Sequence, residues 1–242
     1  MNQVRNRQAG FTIIELTLAM AFIALLLLGI ATLTLQIGSV YNRGLTLRAV
    51  NESGQLISSD IERTLNGARP TATFFAEDSA TPGGATGGRL CSNNVVYAWN
   101  YAKALKAKRD SGTPVLNTFT DSTEEIRLIR FHGSDIFCKP LAPGVEQYPA
   151  IDSTSITRLL GTGDNNLAIT KFTIDRDGTG EIGQPVAFDS DQRLYQVAIT
   201  VGTGEDVVIQ GNSCQNSGSR LDNEYCAVNE FKFTARAGGK GE

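Results

Sequence analysis

Hydrophobic positions are distributed very unevenly along this chain. From Phe11 to Asn42 the only charged residue is Glu15. The run from Thr17 to Val40 is apolar enough, and long enough, for a helix that crosses a bilayer core, which takes ~20 residues at ~1.5 Å rise each. After Arg43 the pattern becomes one-sided. Leu47, Val50, Gly54, Ile57, Ile61 and Leu65 recur at helical spacing, while Arg48, Glu52, Ser59 and Arg63 fall on other faces. This predicts that the same helix continues past the membrane with one face buried against a domain. The first proline is Pro70, just after Asn66-Gly67, a helix-ending signal. Phe11 to Leu65 therefore reads as one rod of ~80 Å, with Gly29, Gly38 and Gly44 as its soft points.

Beyond the helix the period shortens. Residues 71–90, rich in glycine in their second half, read as a loop. Strand chemistry follows at Val95–Trp99, Glu125–Phe131 (where Ile126 and Leu128 alternate with arginines), Leu167–Ile174, Leu194–Val201, Asp206–Gln210 and Asn229–Ala235. Tyr195, Val197, Ile199 and Val201 form the clearest alternating stripe, and Tyr101–Arg109 is a short helical candidate. A long helix followed by five or six short strands predicts an α+β architecture, an antiparallel β-sheet packed on the exposed half of the helix.

Charge sharpens the division. The chain of 242 residues has a net charge of -3, but residues 1–10 hold Arg5 and Arg7 and no acid, which leaves 20 basic and 25 acidic side chains for the rest. Basic residues before the apolar run and an acidic bulk after it orient the N-terminus to the cytoplasm and the domain to the outside. An acidic body without a run of Lys or Arg argues against a direct nucleic-acid partner. The apolar run is longer than the core of a secretory signal, and the small residues Ala9 and Gly10 precede it, so a cut there would leave the helix on the mature protein.

Little catalytic chemistry is on offer. The single histidine, His132, sits in a turn-like stretch, and the terminal Gly238-Gly239-Lys240 has no helix to follow it as a phosphate loop requires. The sequence reads as a non-enzyme without a small-molecule substrate. Four cysteines without a C-x-x-C pair fit disulfides in an exported domain better than a metal site. Cys214 and Cys226 bracket a short polar loop and are the expected pair, with Cys91–Cys138 by default; reduced thiols are the alternative if the host does not oxidise its exported proteins. The string Asp175-Arg176-Asp177-Gly178-Thr179-Gly180-Glu181-Ile182 matches the first eight positions of an EF-hand calcium loop, with oxygen donors on Asp175, Asp177 and Thr179. Its closing position is Val186 rather than Glu, and an Asp-Gly hairpin turn explains the same residues, so no cofactor is expected beyond this calcium candidate.

Gly10-Phe11-Thr12-Ile13-Ile14-Glu15-Leu16, with its basic leader and unbroken apolar helix, resembles the processing motif of the type IV prepilin family. The resemblance implies that a membrane-embedded prepilin peptidase cuts between Gly10 and Phe11 and methylates the new amino terminus of Phe11. It implies the pilin fold and the boundaries that go with it: leader 1–10, transmembrane and assembly helix 11–40, amphipathic continuation 41–67 and β-rich exported domain 68–242. Asn51–Leu65, the closing strand Glu230–Arg236 and the chain length look like the minor-pilin branch called PilW-like or J-type. Glu15 acquires an implied partner, because an acid inside a membrane helix is normally paired or functional and a neighbour's Phe11 amine would lie at the same depth.

The expected function is thus a structural minor pilin, held in the cytoplasmic membrane as a single-pass protein and then assembled into a type IV pilus or its tip at the cell surface. Its implied partners are other pilin subunits, the prepilin peptidase and the pilus assembly machinery. A minor pseudopilin of a type II secretion system shares every feature quoted. A membrane-anchored exported binding protein or enzyme that keeps its leader is the alternative of another class.

Overall fold

A computed structural model describes residues 12–69, 73–78, 86–133, 135–139, 141–142, 145, 147–161, 166–176, 193–204, 209–210, 213–214 and 226–238. The chain divides into two compact units, Met1–Asn42 and Arg43–Glu242. One helix, α1 (Ile13–Asn66), contributes to both. Leu, Ile and Ala dominate its first half and no proline interrupts it, so composition favours a helix there and the stripe of the second half continues it. It ends where Gly67 donates to the Arg63 carbonyl at 3.2 Å and Ala68 to that of Leu65 at 3.0 Å, tightening the last turn.

In the first unit every described residue from Thr12 to Gly38 is exposed. This is a helix with no protein partner for its apolar surface, long and apolar enough to cross a membrane.

In the second unit α1 buries Thr46, Val50, Gly54, Ile57, Ile61 and Leu65. The predicted face holds, with one correction at its start: Thr46 points inward and Leu47 is exposed. Starting the stripe from Leu47 puts its first step one residue out of phase with the later steps of about 3.6.

Two sheets meet this helix. The first is a five-stranded antiparallel meander, β1 (Thr73–Asp78), β2 (Gly87–Ser92), β3 (Val95–Asn100), β4 (Leu128–His132) and β5 (Ile156–Leu160), in that spatial order. The second is antiparallel and three-stranded, with β7 (Arg193–Thr203) between β6 (Leu167–Arg176) and β10 (Val228–Ala237). A short hairpin, β8 (Ile209–Gln210) and β9 (Ser213–Cys214), stands apart, and α2 (Ala102–Ser111) follows β3 and ends on Gly112 in the left-handed region at φ 70. The α+β reading stands, but the single expected sheet is two.

The main core gathers Val50, Ile57, Ile61 and Leu65 of α1, Leu90, Tyr97, Trp99 and Leu128 of the meander, and Tyr195, Val197, Ile199 and Val201 of β7. The alternating stripe on β7 is thus the floor under the helix. A second cluster on the other face of the meander, including Cys91, Val96, Ile129 and Phe131, is covered by the long connections before and after β4.

The loop expected over 71–90 is overturned at 73–78, which form β1, and at 87–90, which open β2, while 71–72 and 79–85 lie outside the described residues. At Gly87 and Gly88 the glycine reflects close approach within a strand. A Cβ on Gly87 would stand 2.3 Å from the Trp99 carbonyl oxygen, and one on Gly88 2.4 Å from the Trp99 ring. The strand expected over Glu125–Phe131 starts three residues later, at Leu128. Arg127 is not a solvent-facing alternate: it is 2% exposed and donates to the Leu167 carbonyl at 3.1 Å and to Asn166 Oδ1 at 2.5 Å. Also unforeseen was β5, in which two apolar residues flank an exposed Thr157-Arg158 pair.

Candidate functional site

The strongest candidate is the exposed apolar part of α1 with the polar device at its start. Thr12 caps the helix: its Oγ1 accepts from the Glu15 amide at 3.3 Å, while the Glu15 carboxylate accepts from the Thr12 amide and hydroxyl, each at 3.0 Å and each through Oε2. This is a reciprocal capping box, satisfying amides that a helix start leaves orphaned. Both bonds fall on one oxygen, and Oε1 has no hydrogen-bond partner among the described residues. The signal was present in the sequence as Thr-x-x-Glu ahead of an apolar run. Gly10 and Phe11, the expected cleavage and methylation positions, lie outside the described residues.

Downstream, the helix pins its own hydroxyls. Thr17, Thr32, Thr34 and Ser39 each donate to a carbonyl one turn back, at 2.8–3.0 Å. A hydroxyl satisfied within its own helix lets that surface remain in lipid or against another helix at little polar cost.

In the second unit α1 is also tied to the meander by polar contacts. Asp60 accepts from Arg130 Nη1 at 2.6 Å and from the Tyr97 hydroxyl at 2.8 Å, and the Tyr97 hydroxyl lies 2.7 Å from Thr64 Oγ1. Burial raises the Tyr97 phenol well above its ordinary range, so it stays protonated and donates. Two further polar groups, Glu77 half-buried and Arg89 fully buried, were invisible in the sequence. Glu77 of β1 accepts from the Tyr101 hydroxyl, and burial raises its carboxyl above the usual carboxylate range against the opposing pulls of that bond and of Lys171. Arg89 of β2 is fully buried and pushed down to about 10 by desolvation, which leaves it a cation at neutral pH.

The cysteines pair as expected, Cys91 with Cys138 and Cys214 with Cys226, at Cα separations of 5.8 and 6.0 Å. Asp175 lies in β6 opposite Gln196, while the other calcium candidates, Asp177 and Thr179, lie outside the described residues. Among the described residues no three His, Cys, Asp or Glu side chains converge as metal ligands.

Compared with known proteins, the chain matches no family model, no curated sequence and no solved structure.

Proposed function

We propose that this chain is a structural subunit of the type IV prepilin class, a minor pilin, whose work is packing rather than catalysis. The observation that carries the reading is the exposed apolar surface of α1 from Ile13 to Val40, with one acid, Glu15, at its very start. Such a surface is stable in lipid or against other apolar helices and costly in water. It serves as an anchor while the protein waits in the cytoplasmic membrane and as the packing element once it is drawn into a filament.

The capping box refines the role of Glu15. Its Oε2 holds the helix start together, and its Oε1 is available to the amino terminus of a neighbouring subunit. A neighbour's amine can therefore be engaged without dismantling the cap, and two opposite charges meeting in a low-dielectric surround favour one axial offset between helices. The exported unit, closed by two disulfides, would face outward or cap the tip.

Mass spectrometry of the protein purified from its native membrane tests the reading. The expected result is loss of residues 1–10 and one methyl group on the amine of Phe11. An intact N-terminus overturns it in favour of a tethered exported protein. In a strain that assembles filaments, Glu15→Gln keeps the cap's hydrogen-bond acceptor and removes the charge; normal cleavage with loss of incorporation is expected, and undiminished incorporation refutes the pairing.

A further inference from the structure

β10 is an outer strand of the three-stranded sheet, and its register with β7 runs unbroken from Val228 to Ala237. Its backbone groups point alternately at β7 and at the open edge. The Thr203 amide donates to the Ala227 carbonyl at 2.9 Å, so odd-numbered residues face β7 and even-numbered ones face outward. Outward amides at both ends are closed within the chain. Glu230 donates to Asn229 Oδ1 at 2.9 Å, Arg236 to Asn66 Oδ1 at 2.8 Å and Gly238 to the Ala68 carbonyl at 3.0 Å. Between them, the amides and carbonyls of Lys232 and Thr234 have no partner on that side among the described residues, and both residues are exposed.

The helix lies beside this opening. Asn229 Nδ2 donates to Asn51 Oδ1 at 2.8 Å and Arg236 meets Asn66, so α1 and β10 run side by side in the same sense. Gly54 seats the helix on Phe231, where a Cβ would run into the ring. Asn51, Ser58, Glu62 and Asn66 share one flank of α1. From Asn51, Ser58 stands about 10 Å and Glu62 about 16 Å along the helix axis, equivalent to roughly three and five strand residues beyond Asn229. That sets them level with Lys232 and Thr234. Both are unmatched: the Ser58 hydroxyl is buried without a hydrogen-bond partner, and half-buried Glu62 has neither ion pair nor hydrogen bond among the described residues. Groups withdrawn from water in this way are normally paired.

We infer that the slot between this flank and the β10 edge receives an extended segment of a partner protein with a Lys or Arg at its centre. Running antiparallel to β10, its backbone would close the open groups of Lys232 and Thr234, each in a two-bond pair. Its residue opposite Phe233 would then share the α1 side of the sheet, where the cation meets the Glu62 carboxylate and donates to Ser58 Oγ. A second copy pairing through β10 does not fit, because its residues on that side are Asn229, Phe231, Phe233 and Ala235, none of them a cation. The proposal concerns the second unit alone and does not depend on how the first half of α1 packs.

The test uses the full chain in nonionic detergent micelles and fluorescent peptides, Gly-Thr-Thr-Xaa-Thr-Thr-Gly with Xaa as Lys, Gln or Glu, followed by fluorescence anisotropy against protein-free micelles. The Lys peptide is expected to bind ~10-fold more tightly than the Glu peptide, with Gln between. Glu62→Lys should reverse that order. Thr234→Pro removes one outward amide without touching the β7 ladder and should weaken all three peptides. A Lys peptide N-methylated at the two threonines beside its lysine should lose binding to the unaltered protein, which tests the backbone pairing even where the proline variant misfolds. Equal affinities, no binding, an order unmoved by Glu62→Lys, undiminished binding of the N-methylated peptide, or peptide-free self-association that Thr234→Pro abolishes would each overturn the proposal.

Discussion

Glu77 is a half-buried residue where burial and charge conflict. It lies on the edge strand of the meander, hydrogen-bonded to Tyr101, and its carboxyl is raised by desolvation. The folded state therefore holds this proton to higher pH than the unfolded chain does. The associated stability is complete below the unfolded carboxylate range and is lost as pH rises through the raised value. Glu77→Gln should thus flatten the pH dependence of denaturation: the variant should match the wild type in acid and exceed it as pH rises toward neutrality. Urea titrations of both proteins at several pH values would check this, and parallel pH profiles would remove Glu77 from the account. Glycines make a second contrast at this scale. A Cβ on Gly44 meets nothing within 4 Å, whereas one on Gly88 would stand 2.4 Å from the Trp99 ring and 2.6 Å from the Ala76 carbonyl oxygen. Gly44→Ala should stabilise by up to ~1 kcal/mol through helix propensity. Gly88→Ala should cost ~1–3 kcal/mol through overpacking, with Trp99 fluorescence reporting the disturbed ring.

Elements were legible where periodicity alone decides them. The apolar run and the stripe Val50, Gly54, Ile57, Ile61, Leu65 repeat with helical spacing, and β7 alternates cleanly because one of its faces meets the helix. Legibility failed where tertiary contact overrides local chemistry. Gly87 and Gly88 are strand residues because Trp99 occupies the space a side chain would need, and no local rule distinguishes that from a turn. Arg127 is buried because carbonyl and amide oxygens at the start of β6 receive it, partners some forty residues away in sequence. At the candidate site, Glu15 was legible as the one charged residue of the apolar run and the Thr-x-x-Glu spacing was there to be read, but that both Thr12 donors fall on a single oxygen, Oε2, emerged only from the geometry. The disulfides differ in what they close. Cys91–Cys138 spans 47 residues and Cys214–Cys226 spans 12. On the chain-entropy account, removing the first pair with two alanines should cost about 4 kcal/mol and the second about 3. Chemical denaturation of the two double variants would check the order, and a larger loss for the Cys214–Cys226 pair would mean that contacts, not loop closure, set their worth.

At the scale of the whole molecule, the chain joins two kinds of surface that want different solvents. The described part of the first unit is apolar helix exposed from Thr12 to Gly38, and the second unit has its own core. The net charge of -3 averages a basic start and an acidic remainder, and that asymmetry is the electrostatic counterpart of the same division.

The stripe on the second half of α1 has a mechanical consequence. Neither disulfide includes a residue of α1, so the helix is held to the sheets by packing and by noncovalent polar contacts of Asn51, Asp60, Thr64 and Asn66. Val50, Ile57, Ile61 and Leu65 are spread over four turns, and tension along the helix axis would load them together, in shear, instead of one after another. Pulling by optical tweezers between residue 43 and a handle on β7 should therefore give a single cooperative rupture whose force falls when Asp60 is replaced by Ala and is indifferent to reducing agent until that rupture has occurred. The covalent staples lie behind a noncovalent clutch: they close loops within the sheet-bearing segment, and no cross-link bears the load that reaches it through the rod.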